Sequence, residues 1–456
     1  MLLRFTIENL FCFDEEASLS MIASADDRHG DHVVSCEGGR RPNVLRAAAV
    51  YGANGHGKSN LVMAAVALRA LVAEGRWTGK PFKLAPDPHA RPSKIVVEFR
   101  HGGFDYEYGV AVLRKVVVEE WLFRTDMQGK EDNLFERTTT GSEGSYETLV
   151  KSGPTLRRSS SPTPDVKMET FLRVFSSGLS ENRTFLAEGV ERKIELLRPA
   201  HHWICSVLTP VQANSRYSTL YERAKEEEEF RCLLEGFLTK CDVGIETITS
   251  EAVEVNSAMT GKLPDSIAKQ IETLGSDSTI TIGGPDGAIM VIDHDADGNL
   301  IIRALKTHRR NKSGELVQFD IEEESSGTQR LMDLAPMLAD PEEHPVYIVD
   351  ELDRKLHPML AYQFLEAFLR GTDRQMVFTT HNAYLMSLDL LRRDEIWFVQ
   401  KRNDGSSDIY SLADLKVRPD LNIRKGYLSG RFGAIPFLGN LDDLGWRDEC
   451  GEPHAA

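Results

Sequence analysis

The stretch Gly52-Ala53-Asn54-Gly55-His56-Gly57-Lys58-Ser59 lies between an apolar run, Leu45 to Tyr51, and a helical pattern that begins at Ser59. Strand, glycine-rich turn, Lys-Ser pair and helix in that order are the setting of a phosphate-binding P-loop. The glycines let the backbone curl so that successive N–H groups face a triphosphate, while Lys58 reaches the β and γ phosphates and the Ser59 hydroxyl can ligate Mg2+. Gly52, Ala53, Asn54, Gly55, His56, Gly57, Lys58, Ser59 and Asn60 are therefore the expected nucleotide-binding residues, with ATP or GTP and Mg2+ as ligand.

Three further segments carry the same chemistry. Val346 to Val349 is a β-branched run that ends in Asp350-Glu351, and Leu356-His357-Pro358 opens the next helical pattern. A carboxylate at that strand end, Asp350, can hold Mg2+ through its water shell, and Glu351 can orient and deprotonate an attacking water. A second apolar run, Gln375 to Phe378, leads into Thr379-Thr380-His381-Asn382. His381 is expected to hydrogen-bond the γ-phosphate or the lytic water, a capping or core histidine being the alternative. Upstream, Glu324-Ser325-Ser326-Gly327-Thr328-Gln329-Arg330 precedes the helical pattern Leu331 to Leu338, which reads either as an anion site or as an ordinary helix cap.

Around these motifs the chain changes character. Leu3 to Phe13 alternates, and Ile95 to Phe99, Asp105 to Val112 and Lys115 to Phe123 read as strands that follow a helix over Ser59 to Ala73. Lys151 to Asp165, rich in Ser, Thr, Pro and Arg, reads as a loop. Met168 to Ser176, Glu191 to Leu197 and Thr219 to Leu238 read as helices, with Glu226 to Glu229 a solvated acidic side; strand patterns return at Thr279 to Ile282, Ala288 to Ile292 and Leu300 to Leu305. The expected organisation is an N-terminal part of the nucleotide-binding unit at residues 1–150, a helical insertion at 151–275 and the remainder at 276–456. The fold class expected is α/β, a P-loop NTPase with a β-rich lobe and an inserted helical subdomain.

The 456 residues are 41% hydrophobic, enough for one large core or two linked ones. The N-terminus lacks the apolar centre of a signal peptide, and no run is long enough to cross a bilayer, so a soluble, cytoplasmic protein is expected. The six cysteines, Cys12, Cys36, Cys205, Cys232, Cys241 and Cys450, include no Cys-x-x-Cys pair and read as buried thiols. A net charge of -16 opposes nucleic-acid binding over the whole surface. The basic run Arg303 to Lys312 is either a local nucleic-acid contact or a solvated hairpin edge.

The order P-loop, Glu-Ser-Ser-Gly-Thr, strand with Asp-Glu, and strand with Thr-His resembles the ABC-type ATPase heads of structural-maintenance-of-chromosomes (SMC) proteins and of the overcoming-lysogenisation-defect nucleases. The chain is more similar still to stand-alone ATPases of the RloA or AbiL group, with the PARIS sensor ATPase also similar. This resemblance rests also on Asn9-Leu10-Phe11 and on the terminal Gly426 to Pro436. It implies an ATPase whose protomers sandwich two nucleotides, with Ser325, Ser326, Gly327 and Thr328 of one facing the P-loop of the other. It implies as well a role in phage defence, with a separate effector, a nuclease, as partner.

Two departures stand out. No glutamine occurs between Lys58 and Gln128, and about 75 residues follow His381, too few for the nuclease domain of the lysogenisation-defect proteins. Asp442 and Asp443 are a weak candidate metal pair. The alternative function is a DNA repair or recombination clamp closed by ATP, and a transporter motor is the third reading.

Overall fold

The computed structural model describes residues 1–36, 41–142, 145–163, 166–215, 220, 223–224, 227–254, 280–283, 289–294, 298–339, 344–415, 418 and 421–435. Pro436, Asp442, Asp443 and Cys450 lie outside them, as do Thr219, Glu226 and Thr279, at the bounds of expected elements.

Alternation sets the first strands. In β1 (Leu2–Glu8) the buried Phe5 and Ile7 flank half-exposed Thr6, and β2 (Ala17–Ser20) repeats the pattern beside it. The short pair β3 (Val33–Val34) and β4 (Val44–Leu45) leads into β5 (Ala47–Tyr51), whose five residues are all buried. Burial on both faces marks a central parallel strand. The helix Lys58–Glu74 follows and ends at Gly75, whose left-handed backbone (φ 65°) returns its N–H to the last carbonyls.

Five strands come next: β6 (Ser93–His101), β7 (Phe104–Leu113), β8 (Val116–Thr125), β9 (Glu131–Ser142) and β10 (Ser145–Ser152). With β1 and β2 they form an antiparallel sheet in the order β10-β9-β8-β7-β6-β1-β2. The last two strands are absent from the sequence reading for a physical reason. β10 alternates exposed with only half-buried positions, Tyr146, Thr148 and Val150 forming a mixed inner face, so its apolar signal is weak.

The span 151–275, expected to be helical, is mixed. It holds the helices Pro154–Arg158, Met168–Ser177, Phe185–Glu191 and Glu228–Lys240, and also the strands β11 (Leu208–Val211) and β12 (Thr247–Glu254). The helix expected over Glu191 to Leu197 instead ends at Glu191, is broken by left-handed Lys193 (φ 64°), and resumes as a 3-10 turn, Glu195–Leu197. β12 joins β13 (Ile280–Gly283), β14 (Ile289–His294), β15 (Leu300–Arg310) and β16 (Leu316–Asp320) in a third sheet. Within the basic run, Lys306 pairs with Asp320, Arg309 with Glu324 and Arg310 with Glu246, and the strand is interior rather than an edge, bordered there by β12 and β16.

The C-terminal part supplies the helix Ser326–Leu334, β17 (Val346–Val349), the helix Pro358–Gly371, β18 (Gln375–Thr379), β19 (Ile396–Lys401), β20 (Ser407–Ser411) and the helix Ile423–Leu428. The core sheet runs β11-β17-β18-β5-β19-β20, parallel except for β20. Its strands alternate between two apolar cores. Ala48, Val50, Ile348 and Val377 face the core shared with the antiparallel sheet, while Ala47, Ala49, Tyr347, Val349 and Phe378 face the core under Phe364 and Phe368. That arrangement places the C-terminal ends of β5, β17 and β18 at one edge, where ligands bind in open α/β sheets.

Among the described cysteines, all free thiols, only Cys241 is buried and Cys232 is exposed, which corrects the expectation of uniformly buried thiols. No helix among the described residues is long and apolar enough to cross a membrane.

Candidate nucleotide site

β5 delivers the chain into the loop, and neighbouring backbone dictates where glycine is needed. A Cβ on Gly52 would lie 2.5 Å from the carbonyl oxygen of Val399 in β19. Gly57 has φ 107°, and a Cβ there would lie 2.2 Å from Cys12 Sγ. Asn54, Gly55 and Ser59 are exposed, whereas Gly52, Ala53 and Lys58 are buried. The Lys58 ammonium donates to the carbonyls of Gly52 (2.8 Å) and Ala53 (3.2 Å), within its own loop. Burial pulls its pKa down to about 8, partly offset by the carboxylates of Asp350, Glu351 and Asp353. A nearly buried cation satisfied only by carbonyls favours an incoming anion, so the loop fits a polyphosphate.

The far wall is built by β17 and β18. Asp350 Oδ1 accepts from the Ser59 hydroxyl (3.1 Å) and from the Thr379 hydroxyl (2.7 Å), while the Asp350 N–H is held by the Val211 carbonyl of β11 (2.8 Å). Ser59 and Asp350 thus present two oxygens to one point, a donor set suited to Mg2+. Thr379 Oγ1 also accepts from the Glu351 N–H (2.8 Å). Glu351 sits at φ 47°, a left-handed conformation costly for a side-chain-bearing residue, and its carboxylate is half-exposed beside Arg354 (3.8 Å). His381 follows β18 and is exposed, with its ring partly desolvated. That desolvation, with Lys58 nearby, holds its imidazole below the ordinary histidine range and hence neutral at pH 7.

The segment Ser325–Thr328 stands apart. Ser325 caps the helix Ser326–Leu334, its Oγ accepting from the Thr328 N–H (3.1 Å), and Ser325 and Ser326 are exposed. Gly327 permits a close approach, since a Cβ would lie 2.9 Å from the Lys355 carbonyl. Glu324 is buried and held by Thr307 Oγ1 (2.6 Å) and by Arg309. Among the described residues, no hydrogen bond joins Ser325, Ser326, Gly327 or Thr328 to the P-loop.

Some participants escape motif reading. Thr379 links Asp350 to Glu351, and buried Arg330 reaches the Glu351 carbonyl (3.4 Å) from the helix that Ser325 caps. Cys12 and Ser407 clamp the loop from behind: the Ser407 hydroxyl donates to the His56 carbonyl (2.7 Å), and its N–H donates to the Cys12 carbonyl (2.9 Å). The Cys12 thiol meets the side chains of Asn60 and Ser407, and burial raises its pKa.

A parallel core sheet with a strand–P-loop–helix unit, an acidic strand end beside it and a β-rich lobe define an α/β P-loop NTPase, a nucleotide-binding ATPase fold. The chain belongs to the family described as "AAA domain, putative AbiEii toxin, Type IV TA system", whose model matches residues 47–160 and 251–387, more than half of its length. Solved structures similar to it include an SMC head bound to the C-winged helix domain of ScpA, at 14% identity and TM-score 0.38, covering 90% of this chain and 97% of that one. The SMC head domain from Thermotoga maritima is similar at 12% identity and TM-score 0.34, covering 91% and 99%. An SMC head from Pyrococcus furiosus, with an extended coiled coil and bound to the C-terminal domain of ScpA, follows at 12% and 0.37, covering 90% and 96%. No curated protein matches the chain.

Proposed function

We propose that the protein is an ATP-hydrolysing switch of ABC-head type, in which two copies close around two nucleotides, and that it controls a separate effector, a nuclease, in antiphage defence. The observation that carries the nucleotide reading is the convergence of Lys58, Ser59, Asp350 and Glu351 at the ends of adjacent parallel strands. Lys58 and the loop N–H groups hold the phosphates. Ser59 and Asp350 would hold Mg2+, which supplies charge neutralisation on the phosphate oxygens when bound. Glu351 orients water and takes its proton, its backbone fixed by Thr379; neutral His381 donates an N–H toward the transferred group.

The sandwich reading is supported by the exposure of Ser325 and Ser326 and by their lack of bonds to their own P-loop. A second protomer's Ser325–Thr328 segment completes the site in this reading, and Arg330 ties that segment's helix to Glu351 of its own chain. Division into residues 1–150, 151–275 and 276–456 is part of the same proposal. The defence setting rests on the resemblance and on the family's description, which names a toxin and a toxin–antitoxin system. The paired charges of β15 disfavour a DNA clamp at that hairpin.

Complementation tests the proposal. Lys58→Ala and Ser325→Arg protomers, each inactive alone, are expected to regain ATPase activity in mixed dimers that contain one intact composite site. Stable mixed dimers with no rescued turnover would refute the trans arrangement.

A further inference from the structure

The segment before β4 carries chemistry that the nucleotide site does not use. His29, Asp31 and His32 flank and form the 3-10 turn Gly30–His32, and one potential ligand atom from each lies within 4.8 Å of the others. The turn is made by His29 itself, in the left-handed region (φ 47°, ψ 58°), with its carbonyl accepting the His32 N–H at 2.9 Å. That geometry folds the His29 ring over the His32 ring, centroids 4.8 Å apart and 19° from parallel.

Each ring has its other nitrogen fixed from outside the turn. His29 Nε2 lies 2.9 Å from the Leu388 carbonyl, which can only accept, so this nitrogen carries the proton and Nδ1 carries the lone pair. His32 Nδ1 lies 3.1 Å from both oxygens of the buried Glu395 carboxylate, which leaves Nε2 as its lone-pair nitrogen. A carbonyl and a carboxylate behind two imidazoles are the partners that orient histidines as metal ligands and raise their basicity. The exposed Asp31 adds a carboxylate oxygen, while neighbouring Arg46 donates to the Asp31 backbone carbonyl (3.0 Å).

We propose that His29, Asp31 and His32 bind a divalent transition-metal ion of the zinc class. Two imidazoles and one carboxylate favour Zn2+, Co2+ or Ni2+ over Mg2+ or Ca2+, and three protein ligands leave one position for water. Tetrahedral coordination needs ligand atoms roughly 3.3 Å apart, so the ligand atoms of half-exposed His29 and exposed Asp31 draw in toward His32 as the ion enters. The site joins two stretches that are already pinned together. Ser24 donates to Asp394 from both N and Oγ (2.7 Å each), and Arg392 Nη1 donates to the Arg28 carbonyl (2.6 Å). Binding therefore rigidifies the connection between β18 and β19, which carries His381, Leu388 and Glu395.

Chelator-stripped protein titrated with CoCl2, read by visible absorption, and with ZnCl2, read by calorimetry, provides the test. The expected result is one equivalent bound with the d–d bands of tetrahedral Co2+. His29→Gln and Asp31→Asn, both on the open side, should each weaken binding at least about tenfold while circular dichroism stays as in the unmodified protein. Glu395→Gln, a positioning change, should weaken it about tenfold to a hundredfold with the ligands intact. Absence of saturable Co2+ or Zn2+ binding, or equal binding by the His29→Gln/Asp31→Asn double variant, would overturn the site.

Discussion

Lys58 is held by its own loop's carbonyls in a nearly buried position, and burial brings its pKa to about 8 from 10.5. The direction sets two pH dependences. A base depressed in the fold is unfavourable when charged, so its penalty on stability is complete below pH 8 and is relieved as pH rises from about 8 to 10.5. Phosphate binding needs the ammonium and runs the other way. Nucleotide affinity, measured by fluorescent-nucleotide titration, is expected to hold up to about pH 8 and then fall by about tenfold per unit; constant affinity to pH 9.5 would contradict the role of this cation. Thr379 makes a second residue-level prediction. Its hydroxyl donates to Asp350 in buried surroundings and accepts from the Glu351 N–H in part-buried ones. Thr379→Val leaves that N–H unpaired at similar volume and should lower unfolding free energy by about 1–3 kcal/mol in urea titrations.

At the scale of elements, the P-loop is shaped by what lies behind it. A methyl at Gly52 meets the β19 backbone at the Val399 carbonyl, whereas at Gly55 (φ 75°) it meets nothing within 4 Å. Gly55→Ala should cost about 1–2 kcal/mol from its backbone conformation alone. Gly52→Ala must push the loop away from β19 and should cost more, together with nucleotide binding; equal thermal-unfolding shifts for the two variants would contradict this packing. Elements were legible in the sequence where burial left a period. β5 shows as a continuous apolar run, β1 and β6 as alternation, β7 as a β-rich run, and the helix Lys58–Glu74 by its Leu, Val and Ala residues. β10 was not legible because its inner face is only half-buried and mixes Thr148 with Tyr146 and Val150. β11 was hidden by its four-residue length and by Pro210, which an edge strand tolerates. Of the site, the strand-end motifs could be read locally. Cys12 and Ser407 could not, because the pairing of β19 with β5, hundreds of residues apart, brings β20 and Ser407 to the loop, and the Ser407 N–H in turn holds the Cys12 carbonyl.

For the whole molecule, the two apolar cores on opposite faces of the parallel sheet hold β5, β17 and β18 in register, so that loop, carboxylates and His381 share one edge. The Ser325–Thr328 segment is the part that a single chain leaves exposed or unattached to the nucleotide loop, and in the proposed sandwich a second chain brings it there. Glu351→Gln removes the proposed base while keeping the proposed phosphate and Mg2+ ligands, and should slow hydrolysis by roughly a hundred- to ten-thousand-fold. The most direct measurement is the solution mass of this variant by light scattering, with and without ATP and Mg2+. An ATP-dependent doubling that is lost when Lys58→Ala is added is the expected result; an unchanged mass at saturating nucleotide would contradict closure by a second chain.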